Sequence, residues 1–173
     1  MIGQFIDVPA IAQLTLDGIV AHFAAAGVEL PERRVIVAGE PRAIAWDCPS
    51  LTIASGGILW GAGPGTGSAT ARRTGNPVSV GARYTVITAQ IIRCAPGSDG
   101  GEPPDPDVLT EAGLTTLKDG GLLSQALVEM CGRNGVFRQF GTGLAGGVDF
   151  LGPDGGFVAC EGNLTVTAAN ITS

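Results

Sequence analysis

A chain of 173 residues can form one domain with a sizeable core, and 45% hydrophobic residues beside 15% charged residues exclude a disordered protein. The net charge of −6, with only ten Lys and Arg, disfavours binding to nucleic-acid phosphates, which depends on clustered basic residues. No stretch approaches about 20 continuous apolar residues and no signal-peptide pattern opens the chain, so we expect a cytoplasmic protein without a membrane span.

The first predicted element is an amphipathic helix that ends at Gly27. Its apolar residues recur at three- and four-residue spacings: Ile11, Leu14, Ile19, Val20 and Phe23. Two β-rich segments follow, Arg33 to Ala38 and Leu51 to Trp60, the second with Gly56 and Gly57 at a bulge or bend. We expect these strands to form an antiparallel meander.

Residues 61–82 are predicted to form an exposed loop or arm, because the sequence GAGPGTGSATARRTGNPVSVGA holds almost no large apolar residue. Next comes the strongest strand pattern in the chain, Tyr84 to Cys94, which is apolar on both faces and therefore central in the sheet. Residues 95–106 form a second predicted loop, which is acidic and rich in Pro and Gly.

A helical pattern returns from Asp107 to Cys131, where we expect Gly120 and Gly121 to divide the segment into two helices or to kink it. Asp105 or Asp107 suits the start of this helix and Gly132 its C-cap.

The last part of the chain predicts a hairpin. Gly141 to Gly147 is expected to be a glycine-rich connector, before a strand around Val148 to Leu151. A tight turn over Gly152 to Gly156 leads to a final strand, Phe157 to Ala168, with one face in water towards its far end. The whole chain, residues 1–173, is thus predicted to be one α+β domain, with a mostly antiparallel sheet, helices on one face and long Gly-rich loops.

The cysteines predict neither a metal site nor a catalytic thiol. Cys48, Cys94, Cys131 and Cys160 are widely spaced, and His22 is the single histidine. A nucleophilic cysteine would need a base beside it, and only that imidazole is present. Because each cysteine lies in an apolar stretch, we expect buried, reduced thiols, with a disulfide as the alternative.

Other candidate sites are weak. The run Gly61 to Ser68 lacks the lysine of a phosphate loop and the glycine offsets of a dinucleotide fingerprint. The acidic cluster of Asp99, Glu102, Asp105 and Asp107 lacks calcium-loop spacing. We therefore predict no catalytic residue, no cofactor, no metal and no enzymatic activity.

Arg72 and Arg73 lie together in an otherwise uncharged segment. They could contact an acidic patch or a DNA phosphate, or they could only keep an exposed loop soluble.

Four stretches resemble the tail terminator proteins of long-tailed siphophages, especially those of actinobacteria. They are AIAWDCPSLTIA from Ala43, YTVITAQIIRCAP from Tyr84, DGGLLSQALVEMC from Asp119, and GPDGGFVACEGNLTVT from Gly152. The resemblance runs roughly from Ile11 to Thr167.

The resemblance implies a structural virion protein at the tail neck, assembled in the host cytoplasm. Six copies would form a ring that caps the tail tube, stops its polymerisation and joins it to the head-tail connector or stopper, with DNA passing through the lumen without sequence-specific binding. The contacts to the next subunit or to the tube protein would then come from Arg72, Arg73, Thr74 and Asn76. The alternatives are a stopper or another connector component, a tail tube subunit, and, less favoured, a nucleotide-binding enzyme that uses Gly61 to Ser68.

Overall fold

The computed structural model describes residues 6–39, 48–60, 83–95, 104–154 and 156–168. These residues form two helices, five strands and a short 3₁₀ helix. In chain order the elements are α1 (Val8–Ala25), β1 (Arg34–Ala38), β2 (Ser50–Trp60), β3 (Arg83–Cys94), α2 (Pro106–Cys131), the 3₁₀ helix (Val136–Gln139), β4 (Gly141–Asp154) and β5 (Phe157–Ala168).

The five strands form one mixed sheet in the order β1-β2-β3-β5-β4. β3 is the central strand, as its two apolar faces predict. All neighbouring pairs are antiparallel except β1 and β2, which run parallel. The predicted meander is therefore wrong at its first step, since two parallel strands cannot form a hairpin.

Both helices pack on one face of the sheet and against each other. The core lies between these two layers. Every second residue along β2, β3 and β5 faces the helices, because successive side chains of a strand point to opposite faces of the sheet. The core residues that the strands supply include Leu51, Ile53, Ile87, Ile91, Cys160 and Leu164. The α+β class, with a mostly antiparallel sheet and helices on one face, is thus confirmed.

Helix α1 ends where the sequence predicts. The Asp7 carboxylate caps its N-terminus by accepting a hydrogen bond from the Ala10 N–H at 3.0 Å. Gly27, at φ +66°, ends it in the left-handed region. The helix is long and apolar enough to cross a membrane by length and composition, with a mean hydropathy of 1.3. Here, however, its apolar side chains Ile11, Ile19 and Phe23 are buried in the core.

Helix α2 is one uninterrupted helix, so the prediction that it divides at Gly120 and Gly121 is wrong. Glycine lowers helix stability by about 1 kcal/mol but keeps its backbone hydrogen bonds, and packing of one face on the sheet outweighs that cost. Both predicted caps are confirmed. The Asp105 side chain accepts a hydrogen bond from the Asp107 N–H at 2.8 Å, and Gly132 is the C-cap.

The predicted connector at Gly141 to Gly147 is also wrong, because these residues form the first half of β4. Two of their glycines, Gly143 and Gly146, mark close approaches of neighbouring side chains. A side chain at Gly143 would meet the Cys131 Sγ atom at 3.1 Å, and one at Gly146 would collide with the Asn163 side chain of β5. The register shifts between Ala145 and Val148, which is a bulge.

β4 and β5 form the predicted hairpin. The expected wet face of β5 is only partly present, because Asn163 is exposed whereas Thr165 is buried.

Candidate interaction surface

Helix α2 carries apolar residues on two faces, of which the fold covers one. Leu123, Ala126, Leu127 and Met130 face the sheet or α1 and are buried. Leu114, Leu117 and Val128 are 62%, 56% and 57% exposed. Large apolar side chains left in water on one helix face are typical of an interaction site.

The residues on this side of α2 follow a regular spacing, and all are exposed except Ser124, which is half-buried. Leu114, Leu117, Gly121, Ser124 and Val128 are separated by three, four, three and four residues, and this spacing places them along one side of a helix. We call these five residues the outer stripe. Gly121 has nothing within 4 Å of the position that a side chain would take, so the centre of the stripe is open.

A row of polar residues borders the outer stripe on one side. Glu111, Lys118, Gln125 and Glu129 are exposed, and Arg133 lies just beyond the end of the helix. Lys118 is about two helical turns from Glu111 and three from Glu129, too far to pair with either within one helix. In the described parts of the chain, the only two ion pairs that involve α2 are His22 with Glu129 and Arg93 with Asp119.

The other side of the outer stripe adjoins an apolar cleft of about 330 Å³ between α2 and the β4–β5 hairpin. Leu109, Leu117, Phe150 and Val158 line it, among other residues. Phe150 lies over Gly120, where a side chain would meet the phenyl ring at 2.5 Å, and the ring is still half exposed. Leu117 belongs to both the cleft and the stripe, which makes the two features one continuous apolar surface.

Within the described residues, the sheet has two unpaired edges of different kinds. β4 is a long edge strand of 14 residues with Leu144 and Phe150 exposed. β1 is an edge strand of 5 residues with Ile36 exposed. Edge strands present unpaired N–H and C=O groups, and an exposed apolar side chain beside them favours pairing with another chain.

The charged pair beneath α2 is structural. Asp119 is 1% exposed and accepts hydrogen bonds from Arg93 Nε at 2.6 Å and Nη2 at 3.2 Å. The same Nη2 also donates to the Glu29 carbonyl oxygen at 2.9 Å. Arg93 therefore joins α2, β3 and the segment after α1, and it satisfies a carboxylate that would otherwise be buried alone.

Two of the four cysteines depart from the prediction of buried, reduced thiols. Cys48 and Cys94 form a disulfide with their Cα atoms 5.2 Å apart, and Cys94 is exposed. The register of the sheet explains the pairing. Because Ser50 lies opposite Ile92, the residues that precede β2 lie beside the last residue of β3. Strand register depends on long-range packing, so the sequence leaves this pair undetermined.

Cys131 and Cys160 are free thiols. Burial raises the pKa of Cys131 to about 11. Burial, together with the nearby Asp119 carboxylate, raises the pKa of Cys160 to about 12. A thiol that ionises so late is a poor nucleophile at neutral pH, which agrees with a structural role.

The other titratable candidates are dispersed. His22 Nδ1 lies 3.1 Å from Glu129 Oε2, in a contact between the two helices. Asp105 caps α2 and Asp107 is exposed, whereas Asp99 and Glu102 lie outside the described residues. Within the ranges that the structure describes, no three His, Cys, Asp or Glu side chains come together to hold a metal ion. The absence of a metal, a cofactor and a catalytic residue stays a prediction for the chain as a whole.

The residues singled out for subunit contacts, Arg72, Arg73, Thr74 and Asn76, lie outside the described residues, as does Gly61 to Ser68. Sequence reasoning missed the outer stripe because the helical pattern from Asp107 to Cys131 does not separate Leu114 and Leu117 from the buried apolar residues. A signal was present, since the apolar residues of α2 cover more of its circumference than one buried face needs.

Comparison with known proteins identifies no relative: no protein-family model matches the chain, and neither does any curated protein.

Proposed function

We propose that the chain is a structural subunit of a phage particle, a tail terminator of the siphophage kind. In this proposal copies join into a closed ring on the end of the tail tube, stop tube polymerisation and join the tube to the head-tail connector. The chain has no enzymatic role. Its place is the tail neck of the virion, after assembly in the host cytoplasm.

The observation that carries the proposal is the pair of unlike sheet edges, both unpaired among the described residues. A contact between the β4 edge of one copy and the β1 edge of the next joins two different patches, and repetition of such a contact closes into a ring if the rotation allows it. Ile36 on β1 and Leu144 on β4 supply exposed apolar area at the two edges. The proposed copy number of six rests on the resemblance of the sequence to tail terminator proteins.

The charge of the chain is compatible with a ring around DNA. A net charge of −6 repels phosphates and lets DNA pass without adhering to the wall. Arg72, Arg73, Thr74 and Asn76 remain our proposed contacts to the neighbouring subunit or the tube protein.

The test is negative-stain imaging with mass determination, on the protein alone and after addition of preformed tail tubes. The wild-type protein should cap tube ends or form closed rings. Ile36→Lys should abolish both, because it places a charge at the β1 edge. Val136→Lys is the matched control, since Val136 is also 42% exposed but lies on the 3₁₀ helix, and it should behave as wild type.

Three outcomes would overturn the proposal. Long filaments of this protein alone would indicate a tail tube subunit. A monomer that ignores tubes but binds another connector protein would indicate a stopper or similar component. Tight binding of a nucleotide would indicate an enzyme.

A further inference from the structure

Among the residues that the structure describes, none covers the outer stripe of α2, although three of its five residues are large and apolar. A second copy of this chain fits the surface, and the reason lies in the order of the charges along its border. From Glu111 towards the C-terminal end these charges are Glu111, Lys118, Glu129 and Arg133, which alternate in sign.

When a second copy of this row runs in the opposite direction, each negative charge of one copy lies beside a positive charge of the other. If two α2 helices lie antiparallel about a twofold axis just after Leu122, Lys118 of each copy lies within about two residues of the level of Glu129 of the other. That offset is about 3 Å at the helical rise of about 1.5 Å per residue, which a lysine side chain can span. In the same register Glu111 lies near the C-terminal end of the other helix, which Arg133 follows. The twofold axis repeats each pair.

The remaining polar groups of this border are compatible with the register. Asp107, in the first turn of α2, lies beyond the end of the other copy's helix at Cys131. Gln125 is uncharged and adds no repulsion. Glu129 contacts His22 through Oε2, and its side chain is 70% exposed, so its carboxylate remains accessible to a lysine of another copy.

A twofold axis perpendicular to the two helices also places the same border of each helix on the same side of the contact. This geometry matters because the opposite border of the stripe is occupied by Phe150 and β4 of the same chain. Parallel pairing would bring the charged border of one copy against that occupied border, where Gly113 and Gly120 offer no charge.

The small residues of the outer stripe lie where the two helices would come closest. Gly121 of each copy faces Ser124 of the other beside the axis, and helix axes approach to about 8 Å where the contact residues are small. Leu117 of one copy then packs beside Val128 of the other on either side of the centre, and Leu114 lies one turn further out.

We propose that the outer stripe of α2 is an isologous interface with a second copy of this chain, formed by antiparallel pairing of the two α2 helices. This interface is separate from the sheet edges of the proposed ring. It provides a twofold contact through which free subunits, or two rings face to face, associate.

The test is a charge exchange followed by sedimentation velocity over a range of protein concentrations at low salt. Lys118→Glu alone and Glu129→Lys alone should each weaken self-association by about tenfold, because each places like charges near each other twice. The double variant restores opposite charges and should return the dissociation constant to within about threefold of wild type.

Two controls separate the interface from other effects of these changes. Glu32→Lys, an exposed site outside α2 with the same change of charge as Glu129→Lys, should have no effect. His22→Asn removes the contact between His22 and Glu129 within one chain and should also leave self-association unchanged.

The double variant distinguishes charge repulsion from misfolding. If a single variant lost association because it misfolded, the second change would not restore association. Unchanged association in both single variants, a double variant as weak as the single ones, or a wild-type protein that is monomeric at every concentration would overturn the proposal. Ile36→Lys separates this interface from the ring, since it should abolish capping of tubes and leave the twofold contact intact.

Discussion

The two faces of α2 are built from similar residues and meet different surroundings. The inner face holds Leu123 and Leu127 at 0% exposure and buries the Asp119 carboxylate against Arg93. The outer face holds Leu114 and Leu117, which are more than half exposed, beside a row of charges without partners on α2 itself. The inner face stabilises the monomer, and the outer face has apolar area that the described residues leave exposed and that association would bury.

The largest effect should come from the charged pair of the inner face. Asp119→Ala leaves Arg93 without the carboxylate that it neutralises and should lower the free energy of unfolding by about 4 kcal/mol. Urea denaturation followed by circular dichroism measures this change. A loss below about 1 kcal/mol would mean that the pair contributes little and that the inner face depends on apolar packing alone.

A matched pair of leucines tests the comparison directly. Leu127→Ala removes a fully buried side chain and should cost about 3 kcal/mol. Leu117→Ala should change monomer stability by less than about 0.5 kcal/mol and weaken self-association instead. Denaturation and sedimentation of the same two variants check both statements. Equal losses of stability in the two variants would contradict the division of α2 into a structural face and an associating face.

The reactivity of the free thiols of Cys131 and Cys160 measures how tightly α2 packs on the sheet. Because the pKa of Cys131 is raised from 9.0 to about 11, its thiolate fraction at pH 8 is about a hundredfold below that of an unperturbed thiol, and that of Cys160 is lower still. Alkylation followed by mass spectrometry should therefore be slow at pH 8 and accelerate as the pH rises towards 11. Rapid labelling of Cys160 at neutral pH would show that α2 opens away from the sheet.

The adjacent glycines of α2 should give the smallest effects, with opposite signs. Gly121→Ala adds a methyl group in open space and improves helix propensity, so it should stabilise the monomer by about 0.5–1 kcal/mol. Gly120→Ala places the methyl group against the Phe150 ring and should destabilise by about 1 kcal/mol. Thermal unfolding measures the stability of both variants. The measurement is made in the Lys118→Glu background, because that change weakens dimerisation. A gain for both variants would mean that Phe150 moves aside at no cost.

Local patterns predicted most of the secondary structure. The β-branched run of β3, the apolar periodicity of both helices and the caps at Asp105 and Gly132 depend on neighbours a few residues apart, and each was predicted. The errors concern long-range geometry. The parallel pairing of β1 with β2 and the Cys48–Cys94 disulfide depend on strand register, which the local sequence does not contain.

Glycine was the other source of error. The sequence predicts breaks at Gly121 in α2 and at Gly143 in β4, but both lie within regular elements. Gly121 lies on an open surface of its helix, and Gly143 packs closely against Cys131. Sequence alone does not distinguish a glycine required by backbone conformation from one required by a neighbour's proximity. For the same reason the outer stripe could not be separated from the buried face of α2 before the neighbours of each residue were known.

Cysteine cross-linking is the most direct measurement of whether the outer face is an interface between antiparallel copies. In a Cys131→Ser background, Gly121→Cys places two thiols about 5 Å apart along the helix direction, whereas Leu114→Cys places them about 25 Å apart, at the rise of about 1.5 Å per residue. With a short bifunctional maleimide, Gly121→Cys should yield a covalent dimer on a denaturing gel and Leu114→Cys should not. Equal cross-linking of both variants, or of neither, would contradict the antiparallel interface.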